Sequence, residues 1–367
     1  MRNLLIDSHL DLGWNAVSWK RNLHLPLDEL NESEANMDDL LGRAAATISF
    51  PEMRKGRIGI CLATLMGRVP YGGPSQVHGN SLDFPHHDNA YAFAFGHLAY
   101  YRVLAAQGMV NLIQDSEQLL QTAKLWLDSA DATNLPIGMI VAMEGCDAIV
   151  QPDQAEHWFE QGLRVASLVH YGQSRYATGT GLEGPVSTDG KKLLAEFERL
   201  GIILDTTHLC DQSFQEALDC FSGPVLASHQ NCRSLVAGQR QFPDSQIQTI
   251  IDRGGILGIA FDAWMLHPGW QRGKTVAETT PRSVVQIDAA ANHIDHICQL
   301  AGNCQHVAFG SDLDGGYGTE QTPTGLERIS DLQKFDEILT KRGYSSTDID
   351  AIFYGNWLRF FSEHLPN

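Results

Sequence analysis

Asn3-Leu4-Leu5-Ile6-Asp7-Ser8-His9-Leu10-Asp11 is an apolar run that ends in a histidine and a carboxylate two residues apart. Side chains of a β-strand alternate between its faces, so a strand here turns His9 and Asp11 the same way, able to grip one metal ion, and Leu10 the other. A single His-x-Asp pair is as readily a strand end as a ligand set. Repetition gives it meaning. Later apolar runs at 136–145, 163–170, 202–208, 224–229 and 306–312 carry Glu144, His170, His208, His229 and Asp312 at their ends. Two further runs, 56–66 and 255–261, bring the strand candidates to eight.

Helical patterns lie between them, at 27–46, 89–107, 154–162, 189–200, 211–221, 244–253 and 283–301, with two more at 329–342 and 346–361. Asp88 is the expected cap of the 89–107 helix and Gly108 its stop. Eight short apolar strands separated by helices predict an α/β fold, a (β/α)8 TIM-like barrel. An open doubly wound sheet would gather its functional residues at one crevice, whereas here nearly every strand contributes at its C-terminal end. One domain is expected over 1–367, with loop insertions near 67–89 and 262–282 that shape a pocket. The three histidines of the first loop, His78, His86 and His87, lack a strand frame and read as surface polarity.

Composition narrows the class. The chain is 43% hydrophobic and 19% charged, as ordinary globular proteins are, and its formal charge of −18 argues against nucleic acid or an anionic membrane surface as partner. No apolar run reaches the roughly 18 residues of a membrane span, and the N-terminus enters a strand pattern by Leu4 without the succession typical of a secretory signal. Seven scattered cysteines, never spaced as Cys-x-x-Cys, read as reduced cytoplasmic thiols rather than a structural zinc knot. A symmetric homodimer is the base-rate expectation for such an enzyme.

Taken singly, the terminal residues have plain structural explanations: core imidazoles, a helix-cap neighbour, a turn aspartate. Together His9, Asp11, Glu144, His170, His208, His229 and Asp312 occupy one predicted rim. So many nitrogen and oxygen donors converging without a cation would leave charges badly placed, so a metal centre is the favoured explanation. The chemistry such a set serves is hydrolysis, in which two divalent ions about 3.5–4 Å apart share a bridging water, acidify it and polarise a carbonyl. Glu144, with two oxygens, is the natural bridge. A histidine–carboxylate pair and two further histidines complete an asymmetric pair of sites. Mixed imidazole and carboxylate ligation suits zinc, with manganese and iron as alternatives. Asp312 is placed to take the proton of the attacking water and pass it to a leaving amine, while Asp314 reads as a supporting or turn-forming residue. Arg233 or Arg240 could offer a bidentate fork to a substrate carboxylate.

At these residues the sequence resembles the membrane (renal) dipeptidase family of zinc peptidases, within the amidohydrolase-like, metallo-dependent hydrolase barrels. The likeness runs in order from Asp7-Ser8-His9-Leu10-Asp11 through Met143-Glu144-Gly145, Leu168-Val169-His170, 193–208, Ser228-His229, 240–244 and Gly310-Ser311-Asp312-Leu313-Asp314-Gly315 to Gly355-Asn356-Trp357-Leu358-Arg359. It implies a distorted barrel and a binuclear zinc dipeptidase acting through a metal-bridging hydroxide, in which His9 and Asp11 hold one ion, His208 and His229 the other, and Glu144 bridges. It also implies that His170 contacts substrate near the scissile carbonyl, that Arg240 rather than Arg233 binds the C-terminal carboxylate, and that Asp312 transfers the proton. Small L-L dipeptides are the implied substrates, with tolerance of a D-residue at the C-terminal position. The segments 171–179 and 230–232 depart from the family's usual loops, near where substrate side chains sit. The chain has neither the signal peptide nor the lipid-anchor signal of membrane-bound members and reads as a soluble bacterial-type relative. Its rivals are another metal-dependent barrel amidohydrolase, acting on a lactone or cyclic amide, and a catalytically silent metal-binding protein. Many of the former bridge their metals with a modified lysine, and no lysine stands at a predicted strand end here.

Overall fold

The computed structural model describes residues 1–70 and 82–367; His78 lies outside them. Among the described residues there are nine parallel strands, eight at the runs identified above and β3 outside them: β1 (Leu5–Leu10), β2 (Ile58–Met66), β3 (Val110–Leu112), β4 (Ile137–Glu144), β5 (Leu163–Ser167), β6 (Ile203–Asp205), β7 (Val225–Leu226), β8 (Leu257–Ile259) and β9 (Val307–Phe309). Eight are neighbours in the order β7-β6-β5-β4-β2-β1-β9-β8. A bridge between Ala227 and Leu257 brings β7 back beside β8, so the path comes round on itself as a nearly closed barrel. β1, β2 and β4 are buried along their whole length, which is why they read as continuous apolar runs rather than alternating ones.

The barrel interior is tightest where β1, β7, β8 and β9 meet. Ser8 Oγ donates to Ser228 O at 2.5 Å and to Phe309 O at 3.0 Å. A Cβ at Gly258 or Gly310 would come within 2.1 or 1.8 Å of that same Ser228 carbonyl, so both positions require glycine for the strands to close. The helices outside obey their capping signals. The helix Thr188–Leu200 starts at Ser187, whose side chain accepts from Gly190 N, and stops at Gly201 in the left-handed region, φ +76°.

Several expected elements differ. β3 and the helix Ser116–Asp128, capped by Asp115, lie between the second and third expected strands; β3 pairs with β4 off the ring. The 27–46 helix is confined to Leu27–Ser33. Beyond it the buried Glu34 carboxylate collects Arg21, Arg43 and the backbone N–H of Ala44, and this charged knot holds a loop where periodicity suggested a helix. The helix expected at 89–107 runs His87–Ala106 and is capped by His86 rather than Asp88, which sits in its first turn. The helix expected from 283 starts at Asp288, after a short 3-10 turn at Arg282–Val284. No helix among the described residues is long and apolar enough to cross a membrane.

The strands also end sooner than their apolar runs. His9 lies within β1 and Glu144 is the last residue of β4, but Asp11 lies one residue past its strand, and His170, His208, His229 and Asp312 each three. These donors therefore point by loop geometry and not by strand alternation. His208 and Asp312 hold φ of +69° and +57°. A side chain other than glycine costs on the order of 1 kcal/mol there, a strain that characteristically appears where a functional group must be aimed.

Candidate metal centre and substrate pocket

Seven side chains from six strand ends cluster at the mouth, and four of them, all histidines, surround the buried carboxylate of Glu144. Glu144 Oε1 lies 3.2 Å from His208 Nε2, 3.3 Å from His229 Nε2 and 3.8 Å from His170 Nε2, while Oε2 lies 3.7 Å from His9 Nε2. His9 Nε2 is also 3.6 Å from Asp11 Oδ1 and 3.8 Å from Asp312 Oδ1. Three overlapping triads of donor atoms result: His9, Glu144 and His229; Glu144, His170 and His208; and His9, Asp11 and Asp312. All but Asp312 are nearly inaccessible to solvent, apart from a sliver of His170.

Several of these side chains are held from behind. Nδ1 of His208 meets Thr180 Oγ1 at 2.9 Å, and Nδ1 of His229 meets Ser228 Oγ at 2.9 Å. Thr64 Oγ1 donates to Asp11. Asp7 Oδ1 accepts from His9 N at 3.1 Å and Ser311 N at 2.8 Å, tying the loop after β9 to β1. Asp205 does the same for the loops after β6 and β7, accepting from Thr207 N and Ser228 N, each at 3.0 Å.

The electrostatics are those of crowded, dehydrated charge. Burial pushes Glu144 up to about 8, against the pull of His9, and pushes Asp312 well above the usual carboxylate range. Burial first, then the charge of Arg240 and neighbouring imidazoles, holds His208 well below its ordinary value; His229 follows the same direction. For His9 burial opposes the charged form, but Glu144, Asp11 and Asp312 together outweigh it and carry the ring up to about 10.

Above the cluster lies a cavity of about 310 Å³, lined by Asp11, Glu144, His170, His208, His229, Arg240 and Asp312 together with apolar walls. Arg240 is buried, its Nη1 on Gln230 Oε1 at 2.5 Å and Nη2 on His229 O at 2.9 Å. Arg233 does not line the cavity: it forks onto Asp211, both contacts 2.7 Å. Asp314 also stays out, accepting from Thr47 N, Thr47 Oγ1 and Ile48 N beside Arg21, so it anchors the loop before the helix Phe50–Lys55. Of the loop histidines, His86 caps a helix and His87 Nδ1 meets Asp147 O. The 262–282 loop supplies Asp262, Trp264, Met265, Trp270 and Arg272 to the wall.

Several wall and support residues were not singled out from sequence: Trp14, Tyr171, Asp262, Gln321, Thr64 and Thr180. Asp262 had a signal, since it follows the apolar run 255–261 as the other donors follow theirs. Its carboxylate accepts from Gln321 Nε2 and Trp264 Nε1 and is pushed up to about 7, chiefly by burial. Thr180 comes from a loop with no pattern of its own.

Fold and cluster together define a parallel α/β barrel with a buried His/carboxylate cluster at its C-terminal mouth. Residues 1–365 match Membrane dipeptidase (Peptidase family M19), and the chain belongs to that family. An uncharacterised dipeptidase of Schizosaccharomyces pombe is 26% identical over 228 residues, 61% of this chain and 52% of that protein. The chain spans about half the length of the first curated relatives it matches. Among solved structures, a dipeptidase described as a metallopeptidase of family M19 superposes with TM-score 0.76 at 19% identity, over 99% of both chains. A metallopeptidase from Rhodobacter sphaeroides, bound to a phosphinate mimic of the dipeptide L-Ala-D-Ala, does so with TM-score 0.75 at 20% identity, again over 99% of both.

Proposed function

We propose that the chain is a binuclear zinc dipeptidase, hydrolysing the amide bond of small dipeptides, L-Xaa-D-Xaa as well as L-L. The observation that carries this reading is the convergence of three histidines on the two oxygens of Glu144, with an arginine and a second carboxylate facing the same cavity.

The residues suit a pair of cations. His9 Nε2 is buried and has no hydrogen-bond partner. Where Thr180 and Ser228 hydroxyls accept from Nδ1–H, the Nε2 lone pairs of His208 and His229 face each other at 3.1 Å and face Glu144, three acceptors around one point. An unpaired arrangement of this kind is costly, and a cation relieves it. His9 and Asp11 would hold one ion, His208 and His229 the other, and Glu144 both. Zinc there would supply an acidified water and positive charge opposite the developing oxyanion.

The protein's own groups do the rest. Arg240, already aligned by Gln230 and the His229 carbonyl, takes the C-terminal carboxylate of the dipeptide, which fixes the scissile carbonyl relative to Glu144. His170 donates from Nε2 to the carbonyl oxygen. Asp312 receives the proton of the attacking water and returns it to the leaving amine, a task its raised affinity for protons suits. The apolar cavity wall excludes bulk water from these transfers.

The test is incubation of purified protein with L-Ala-L-Ala, L-Ala-D-Ala, a lactone and a cyclic amide, each with a chelated control. Chelator-sensitive release of free alanine supports the reading. Opening of the lactone or cyclic amide with both dipeptides intact contradicts it.

A further inference from the structure

His170 presents its two nitrogens to different surroundings. Nε2 lies on the cavity side, 3.8 Å from Glu144 Oε1, and Nδ1 lies 3.3 Å from Arg68 Nη1. The ring is wedged edge-on between His208, centroids 4.4 Å apart at 75°, and Tyr171, 4.8 Å at 82°, which fixes its plane. Arg68 stands two residues beyond β2 and is itself buried. Its Nε and Nη2 both hold Asp83 Oδ1, at 2.8 and 2.6 Å. The backbone secures the pair from both sides, Arg68 N donating to Leu82 O and Phe84 N to Arg68 O, each at 2.8 Å.

A guanidinium has five N–H donors, no acceptor, and does not lose its proton in a protein. The imidazole nitrogen in front of it must therefore present a lone pair, and the ring's hydrogen must sit on the other nitrogen. The two neighbouring histidines have the opposite backing. Thr180 stands behind His208 and Ser228 behind His229, and a hydroxyl can accept from Nδ1–H. Three of the four imidazoles around Glu144 are thus sorted by what stands behind them. A hydroxyl permits Nε2 to stand as a lone pair, fit for a metal; a guanidinium, which cannot accept, makes Nε2 a donor.

We propose that Arg68 is a positioning residue: fixed by Asp83, it occupies Nδ1 of His170, keeps the ring's hydrogen on Nε2, and so makes His170 a donor to the substrate's carbonyl oxygen instead of a further imidazole ligand. The catalytic half of this rests on the role given to His170 above. The half concerning the ring's hydrogen does not.

The direct test is nitrogen-15 NMR of histidine-labelled, zinc-loaded protein, with the His170 signals identified by their loss in His170→Asn. The expected spectrum is an Nε2-protonated ring. A ring protonated on Nδ1, or coordinated to zinc through Nε2, overturns the proposal without any Arg68 variant being needed. Arg68→Met should lower kcat on dipeptides about 10- to 100-fold with KM changed less than about threefold and metal content retained, and the Nε2–H pattern should be lost. Arg68→Lys, which restores a donor, should recover most of the turnover. Because Arg68→Met strands Asp83, the pair Arg68→Met/Asp83→Asn is made alongside it. A fall in turnover with the Nε2–H pattern intact overturns positioning and leaves Arg68 a structural residue. Full turnover in His170→Asn beside an Nε2–H ring in the unaltered protein overturns only the catalytic half, and with it the reading of His170.

Discussion

Thr180 Oγ1 sits 2.9 Å from Nδ1 of His208, on the far side of a ring whose Nε2 faces Glu144. The contact fixes the rotation of the ring, and with the hydroxyl accepting from Nδ1–H it leaves the lone pair on Nε2. Partners of this kind are worth about 10- to 100-fold in metal affinity. Thr180→Val should weaken zinc retention by that factor while leaving the fold intact, as measured by competition against a chromogenic chelator. Unchanged retention would detach Thr180 from the centre.

Glu144→Gln keeps the shape of the side chain and removes its charge. Two equivalents of zinc should then fall to one or none, and turnover should drop on the order of 10³-fold or more. Metal analysis and dipeptide cleavage on the same sample read both effects.

Asp312→Asn should separate binding from chemistry. Its carboxylate is the most accessible of the cluster and lies at the cavity mouth. Turnover should fall by about 10²- to 10⁴-fold with metal content nearly unchanged. Near-normal turnover would remove Asp312 from proton transfer.

Arg240→Met should raise KM on dipeptides with a free carboxylate and lower kcat/KM by roughly 100-fold, in line with the loss of a buried charged pair. C-terminal amides, which cannot use the fork, should be cleaved alike by both proteins. An equal loss on amides would mean that Arg240 serves the structure around Gln230 instead.

A pH effect on stability is expected away from the centre. His293 is buried in the helix Asp288–Ala301, its Nδ1 accepting from Cys232 N at 3.0 Å, and burial, then nearby His296, lowers it to about 4. The unfolded chain takes up this proton near 6.5, the folded protein only near 4. Stability from the neutral ring is thus whole above about 6.5 and is lost as pH falls towards 4, by up to about 3 kcal/mol. Denaturant titrations from pH 7 to 4 should show that loss reduced in His293→Asn, whose side-chain carbonyl can still accept from Cys232.

The barrel and the gathering of these side chains at its mouth were legible in the sequence for one reason: the ring strands are buried, and each of these apolar runs gives way within a few residues to a polar residue at the mouth. His9, Glu144 and their counterparts mark that boundary. Exact aim was not legible, since His208 and Asp312 turn through positive φ and no alternation rule reports that. The choice between Arg233 and Arg240 likewise lay beyond spacing, because Asp211, which engages Arg233, comes from the separate helix Asp211–Cys220. Arg68, Thr180 and Asp7 act through partners distant in the chain, and their residue types are ordinary.

The proposed binuclear centre is tested most directly by adding zinc stepwise to metal-free protein while following dipeptide cleavage in each sample. Activity that saturates at two equivalents per chain is the predicted result. Full activity at one equivalent, or cleavage that persists without metal, would contradict it.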